Sequence, residues 1–140
     1  MITRVTTQKE IQRAWHLVDA KGAILGRMAS GIAQKLIGKH KTYFTPNLDC
    51  GDYVVVVNSD NVAVTGRKLM QKIYHRHSNY PGGHKQIVLG KQMEKDSRKV
   101  IELAVSRMLP KNKLREPRLN RLKVFPGSEH IYKDKFNGKA

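Results

Sequence analysis

Tyr53-Val54-Val55-Val56-Val57 constrains the fold more than any other stretch of this chain, because four consecutive valines follow one aromatic without a polar break. A strand with one wet face alternates apolar and polar side chains, whereas this run has no polar face to offer. It predicts a strand buried on both sides, in a sheet that other elements cover. The preceding residues supply a partner. Residues 14–19, A-W-H-L-V-D, read as a first short buried strand through Trp15, Leu17 and Val18, and Gly22 breaks it. From Leu25 the apolar and small residues recur at Met28, Ala29, Ile32, Ala33 and Leu36, an amphipathic helical stripe that Gly38 stops. Strand, helix and buried strand make a βαβ unit with a right-handed crossover. The expected fold class is α/β: one three-layer α/β/α domain around a short, mainly parallel sheet, with basic loops and extended termini.

Downstream signals are weaker but consistent with one domain. Residues 62–66 read as a further short strand or a turn, residues 72–77 as a strand running out to a polar surface, and S-N-Y-P-G-G over 78–83 as a turn or loop. Ser97 is placed to cap a second helix over 98–109, with Val100, Ile101, Ala104, Val105 and Met108 on one face and Pro110 ending it. Leu114, Leu119 and Leu122 form an anchoring stripe on a short helix after Pro117, and residues 122–125 add a last strand. Past Pro126 the tail is polar and extended. The expected organisation is a basic arm over 1–13, an α/β domain over 14–130 that includes a basic segment at 107–123, and a polar tail over 131–140.

Charge then narrows the partner. Lys and Arg number 27 against 11 Asp and Glu, a formal net charge of +16 in 140 residues. Residues 107–123, R-M-L-P-K-N-K-L-R-E-P-R-L-N-R-L-K, interleave their cations with apolar residues and include a single acid, Glu116. A surface this one-sided repels itself unless it meets a polyanion, and nucleic acid is the default one. Membrane binding would need a basic amphipathic helix with an aromatic or leucine face, and no apolar run approaches the roughly 20 residues that span a bilayer. With aromatics at 6%, phosphate contact rather than base stacking should dominate. Cys50 stands alone, which excludes an internal disulfide and fits a reducing compartment. The first residues lack an apolar signal core and resemble an organellar targeting stretch only faintly.

Three groups of residues invite a catalytic reading. Gly22 and Gly26 lie between strand and helix, where α/β proteins bind phosphates, but their spacing matches no nucleotide fingerprint, and tight-turn packing explains them. His75, His77 and His84, with Cys50 and Asp52 as further donors, lack the tight spacing of a metal site; they suit a phosphate-facing surface better. Asp49 and Asp52 form the notable acidic pair, which in a loop before a strand more often accepts backbone hydrogen bonds or pairs with Arg and Lys. An RNA-acting or nucleotide-using enzyme is therefore the alternative, and no metal or cofactor is expected.

W-H-L-V-D-A-K-G-A-I-L-G-R-M-A-S, G-K-H-K-T-Y-F-T-P, D-C-G-D-Y-V-V-V-V-N, V-A-V-T-G-R-K, H-R-H-S-N-Y-P-G-G and M-L-P-K-N-K-L-R followed by R-L-K-V-F-P-G-S-E-H occur here in one order. Together they resemble the large-subunit ribosomal protein thirteen family over residues 15–130. The resemblance implies a non-enzymatic domain without cofactor or small-molecule substrate. It also implies binding to large-subunit ribosomal RNA beside neighbouring ribosomal proteins, and a role early in subunit assembly. By matching position, the residues expected to face RNA are Arg27, Lys39, His40, Lys41, Lys68, Tyr74, His75, Arg76, His77, Ser78, Gly82, Gly83, Lys111, Lys113, Arg115, Arg118, Arg121 and Lys123. Arg and Lys would neutralise phosphates, and the two glycines would let backbone approach RNA closely. Bacterial members typically read M-L-P-K-G-P-L-G. Here Asn112, Lys113 and Arg115 replace both glycines and the second proline, which resembles the mitochondrial, particularly fungal, branch. A mitochondrial matrix location follows as the expectation, with bacterial cytoplasm as the alternative.

Overall fold

The structure, a computed structural model, describes residues 6–136. In chain order its elements are β1 (Trp15–Asp19), α1 (Leu25–Ile37), β2 (Tyr53–Val57), α2 (Lys68–Gln71), β3 (Ile73–His77), β4 (His84–Val88), α3 (Leu89–Met108), α4 (Arg115–Asn120) and β5 (Leu122–Val124). The valine run takes the middle of a parallel sheet ordered β1-β2-β5, with Trp15 opposite Tyr53 and Val54 opposite Leu122. Strands on both edges and packed layers on both faces leave Val54, Val55, Val56 and Val57 buried. A mixed α/β domain around a mainly parallel sheet is what the run implies. β1 departs from expectation. It is an edge strand, so Leu17 is 51% exposed while Trp15 and Val18 are half-buried.

Alternation assigns the two faces of the sheet. Val54, Val56, Leu122 and Val124 join Ala29, Ile32 and Leu36 of α1 and Val100, Ile101 and Val105 of α3 in one apolar core. The opposite face carries Trp15, which stacks on Tyr53 at 4.3 Å between ring centroids. Tyr132 and Phe136 close over Trp15 from either side of a 3-10 turn at Lys133–Lys135. The tail past Pro126 is thus not simply extended: its rings cover an edge strand that would otherwise leave an indole in water. The arm also docks where it is described. Thr6 donates to the Tyr43 carbonyl, and Arg13 to the carbonyls of Gly51 and Asp49. Residues 1–5 of the arm and 137–140 of the tail lie outside the described residues.

Local chemistry sets the ends of the helices. α1 closes at Gly38, whose φ of 86° is left-handed, and a Cβ there would stand 2.7 Å from the Cys50 carbonyl oxygen. α3 is longer than expected because a first segment from Leu89 runs into it, broken at Asp96, which is extended at φ −162°. Asp96, not Ser97, caps the second segment: its Oδ1 accepts the Arg98 backbone N–H at 3.1 Å. The Ser97 hydroxyl is buried and bonds Asp60 at 2.5 Å and Ser59 at 2.7 Å. α4 begins at Arg115, before Pro117, since a proline in the first turn forfeits no helical hydrogen bond. β3 and β4 form an antiparallel hairpin apart from the main sheet. β4 escapes sequence reading because His84, Lys85 and Gln86 are exposed and show no apolar alternation.

Candidate functional site

The loop between α1 and β2 gathers the two aspartates and determines what they can do. Asp52 is buried and accepts from four groups. Its Oδ1 takes the Ala14 backbone N–H at 3.0 Å and the Lys41 ammonium at 2.5 Å, and its Oδ2 takes His16 Nε2 at 2.8 Å and His40 Nε2 at 3.0 Å. Asp49 receives the guanidinium fork of Arg121, with Arg118 at 3.6 Å and Arg13 at 3.8 Å. Arg121 also donates to the carbonyls of Leu36 and Asp52, tying α1, the loop and the start of β5 together. Burial alone would raise both carboxyl pKa values. For Asp49 the Arg121 hydrogen bonds and the charges of Arg121, Arg13 and Arg118 prevail, and for Asp52 the bonds from Lys41, Ala14 and His16 do. Both are held below the usual carboxylate range. Such carboxylates are poor bases and have no proton to give.

Several residues expected on RNA face inward instead. Lys41, with its side chain 10% exposed, lies on Asp52 and also donates to the carbonyls of Gln12 and Cys50. Arg118 is 2% exposed and Arg121 is 6% exposed, both against Asp49. Tyr74 is 6% exposed, its ring beneath Lys72 and Arg107. The physical reason is common to the three cations. Acids that lose much of their water in the loop before β2 need partners, and a basic chain supplies them from wherever the fold brings cations close. At Gly83 a Cβ would meet its own loop, 2.0 Å from Ser78 Oγ, whereas nothing stands within 4 Å of a Cβ at Gly82.

The others remain on the surface. Arg27, Lys39, Lys68, His75, Arg76, His77, Ser78, Lys111 and Lys113 are exposed. Lys123 and Arg115 are half-buried, with Arg115 donating to Ser106 Oγ at 2.5 Å, and His40 is exposed although bonded to Asp52. On the hairpin, His75 Nδ1 and His84 Nε2 lie 3.0 Å apart with their rings stacked. Between the hairpin and α3 runs a groove of about 1070 Å³ whose lining includes Arg76, Lys85, Lys95, Lys99, Arg107 and Lys123 together with the acids Asp96 and Glu102. Lys85, Lys95 and Lys99 are missed by sequence reasoning, because spaced lysines on exposed faces look like ordinary solvated charge.

Metal-ligand geometry arises at a trio other than the histidines weighed from sequence. His16, His40 and Asp52 place one ligand atom each within 4.8 Å of one another. Two imidazoles and a carboxylate suit zinc chemically, but the Lys41 ammonium already neutralises that carboxylate. No sequence spacing announces the trio, since pairing of β1 with β2 is what brings residue 16 beside residue 52. Among the described residues no helix is long and apolar enough to cross a membrane.

An α/β domain that neutralises Asp49 and Asp52 with its own cations and leaves many others exposed is a polyanion-binding scaffold by class. The chain belongs to the ribosomal protein L13 family, whose model matches residues 13–131. It is 52% identical over 122 residues to the large ribosomal subunit protein uL13 of Nitrosococcus oceani, covering 87% of this chain and 86% of that one. The uL13 protein of Thermotoga maritima is 50% identical over 128 residues, covering 91% and 86%. That of Syntrophus aciditrophicus is 49% identical over 130 residues, covering 93% and 92%.

Proposed function

We propose that this protein is a structural, non-enzymatic constituent of the large ribosomal subunit, binding large-subunit ribosomal RNA and supporting early subunit assembly and translation beside neighbouring ribosomal proteins. The observation that carries this is electrostatic: the chain has a net charge of +16, and the two acids that resemble a catalytic pair are bound by its own cations. The contacts belong to the exposed subset, Arg27, Lys39, Lys68, Arg76, Lys111 and Lys113, with His75 and His77 bonding phosphate or ribose. Binding of the purified protein to large-subunit ribosomal RNA should fall steeply with salt and need no divalent metal. Turnover of RNA or nucleotide that Asp52→Asn abolishes would establish the enzymatic alternative instead.

The compartment rests on one segment. P-K-N-K-L-R over residues 110–115 supports a mitochondrial ribosome of the fungal type, whereas bacterial relatives at about half identity support a bacterial cytoplasm. Fractionation of source cells, followed by sedimentation of large subunits in high salt, distinguishes the two.

A further inference from the structure

A second concavity lies between the start of α1, α2 and α3, away from the acidic loop. It is a cleft of about 630 Å³, within the range that holds small ligands. Val64 and Met108 contribute apolar surface over the buried Leu25 and Leu89, and Lys68, Lys72 and Arg107 also line it. No carboxylate is among the lining residues. Tyr74 lies behind the cations, with Lys72 Nζ 5.4 Å and the Arg107 guanidinium carbon 5.5 Å from its ring centroid. Their positions are therefore supported from below. Burial, then the charges of Arg107 and Lys68, pushes the Lys72 pKa down. Cations crowded beside one another without an acid are relieved by an incoming anion.

Apolar surface beside cations matches a nucleotide, whose base is flat and poorly hydrated on its faces while its phosphate is charged. Duplex RNA cannot offer that combination, because its bases are stacked inside the helix; a bulged or looped nucleotide can. We propose that this cleft takes one unstacked nucleotide of the bound RNA, its base against Val64 and Met108 and its phosphate against Lys68, Lys72 and Arg107. The site rests on the RNA-binding reading and sharpens it. The exposed cations bind any phosphate backbone, whereas the cleft selects a place where the helix is interrupted.

Gly26 provides a test that leaves charge untouched. It lines the cleft within α1, and a Cβ added there meets nothing within 4 Å, so Gly26→Leu fills the cleft without backbone strain and with a better helix former. The full-length protein is titrated with two RNA hairpins of equal phosphate count, one carrying a single bulged nucleotide and the other an abasic residue at the same position. The wild type should bind the bulged nucleotide about tenfold more tightly, in keeping with the worth of one docked base. Gly26→Leu should lose that preference while keeping the abasic affinity and its salt slope. The Met108 methyl resonance should move with the bulged RNA and stay with the abasic one. Equal binding of both RNAs by the wild type, or a preference that survives Gly26→Leu, overturns the cleft but leaves RNA binding standing. Failure to bind either hairpin at low salt would overturn the RNA-binding reading itself. Saturation of the cleft by micromolar free nucleoside monophosphate would make it a small-molecule site and refute the proposal.

Discussion

Asp49→Asn should unfold this protein at markedly lower denaturant. The carboxylate faces the fork of Arg121 and has Arg118 at 3.6 Å, and the Arg118 Nε has no hydrogen-bond partner of its own. Asparagine keeps the size and one acceptor but removes the charge, leaving two buried guanidiniums beside each other. Breaking a buried pair by neutralising one partner costs about 3–5 kcal/mol. The lower end applies here, since the Asp49 side chain is 16% exposed and Arg121 keeps the Leu36 and Asp52 carbonyls. With a urea dependence of about 2 kcal/mol per molar, a loss of about 3 kcal/mol moves the midpoint down by roughly 1.5 M at pH 7. Circular dichroism during urea unfolding measures this, and an unchanged slope is required for the comparison. The pH dependence gives an independent check. A carboxyl held below its unfolded pKa of about 4 contributes stability above that value and loses it as pH falls through the folded one. Asp49→Asn should therefore flatten the acid limb of the wild-type stability curve. A loss below about 1 kcal/mol at pH 7, with the acid limb unchanged, would refute the argument that Asp49 neutralises buried arginines.

Two further outcomes separate surface from interior. Lys111→Ala with Lys113→Ala, both exposed, should reduce the magnitude of the salt slope for RNA by about two units without loss of stability, measured by filter binding over a salt series. Arg118→Ala should instead lower the melting temperature and leave the slope of the folded protein unchanged; the reverse pattern would place its side chain on phosphate. Asp96→Ala should cost about 1 kcal/mol through loss of the cap on the second segment of α3, read by thermal unfolding. An Asp96→Ala variant as stable as wild type would mean that the segment needs no cap.

Much of the fold is legible in local pattern. The valine run, the stripe from Leu25 to Leu36 and the stops at Gly38 and Pro110 all depend on side-chain periodicity or backbone conformation, which a sequence carries directly. Ser97 shows the limit of that reading: its residue type suits a cap, but one position earlier Asp96 is better placed, and the hydroxyl turns to Asp60. The hairpin strand β4 shows no apolar alternation to betray it, because its first three residues lie at a polar surface and only Ile87 and Val88 at its end turn toward the protein.

The candidate interface divides in the same way. Net charge, the family and the polyanionic class of partner are properties of composition and ordered motifs, so the sequence alone determines them. Which cation meets a partner is not such a property. Lys41, Arg118 and Arg121 are indistinguishable in sequence from Lys39, Lys111 and Lys113, and only packing turns the first three toward Asp49 and Asp52. The physical reason is range. Charge count acts through the field of the whole molecule, while an ion pair requires atoms a few ångströms apart, drawn here from residues up to 72 positions apart along the chain.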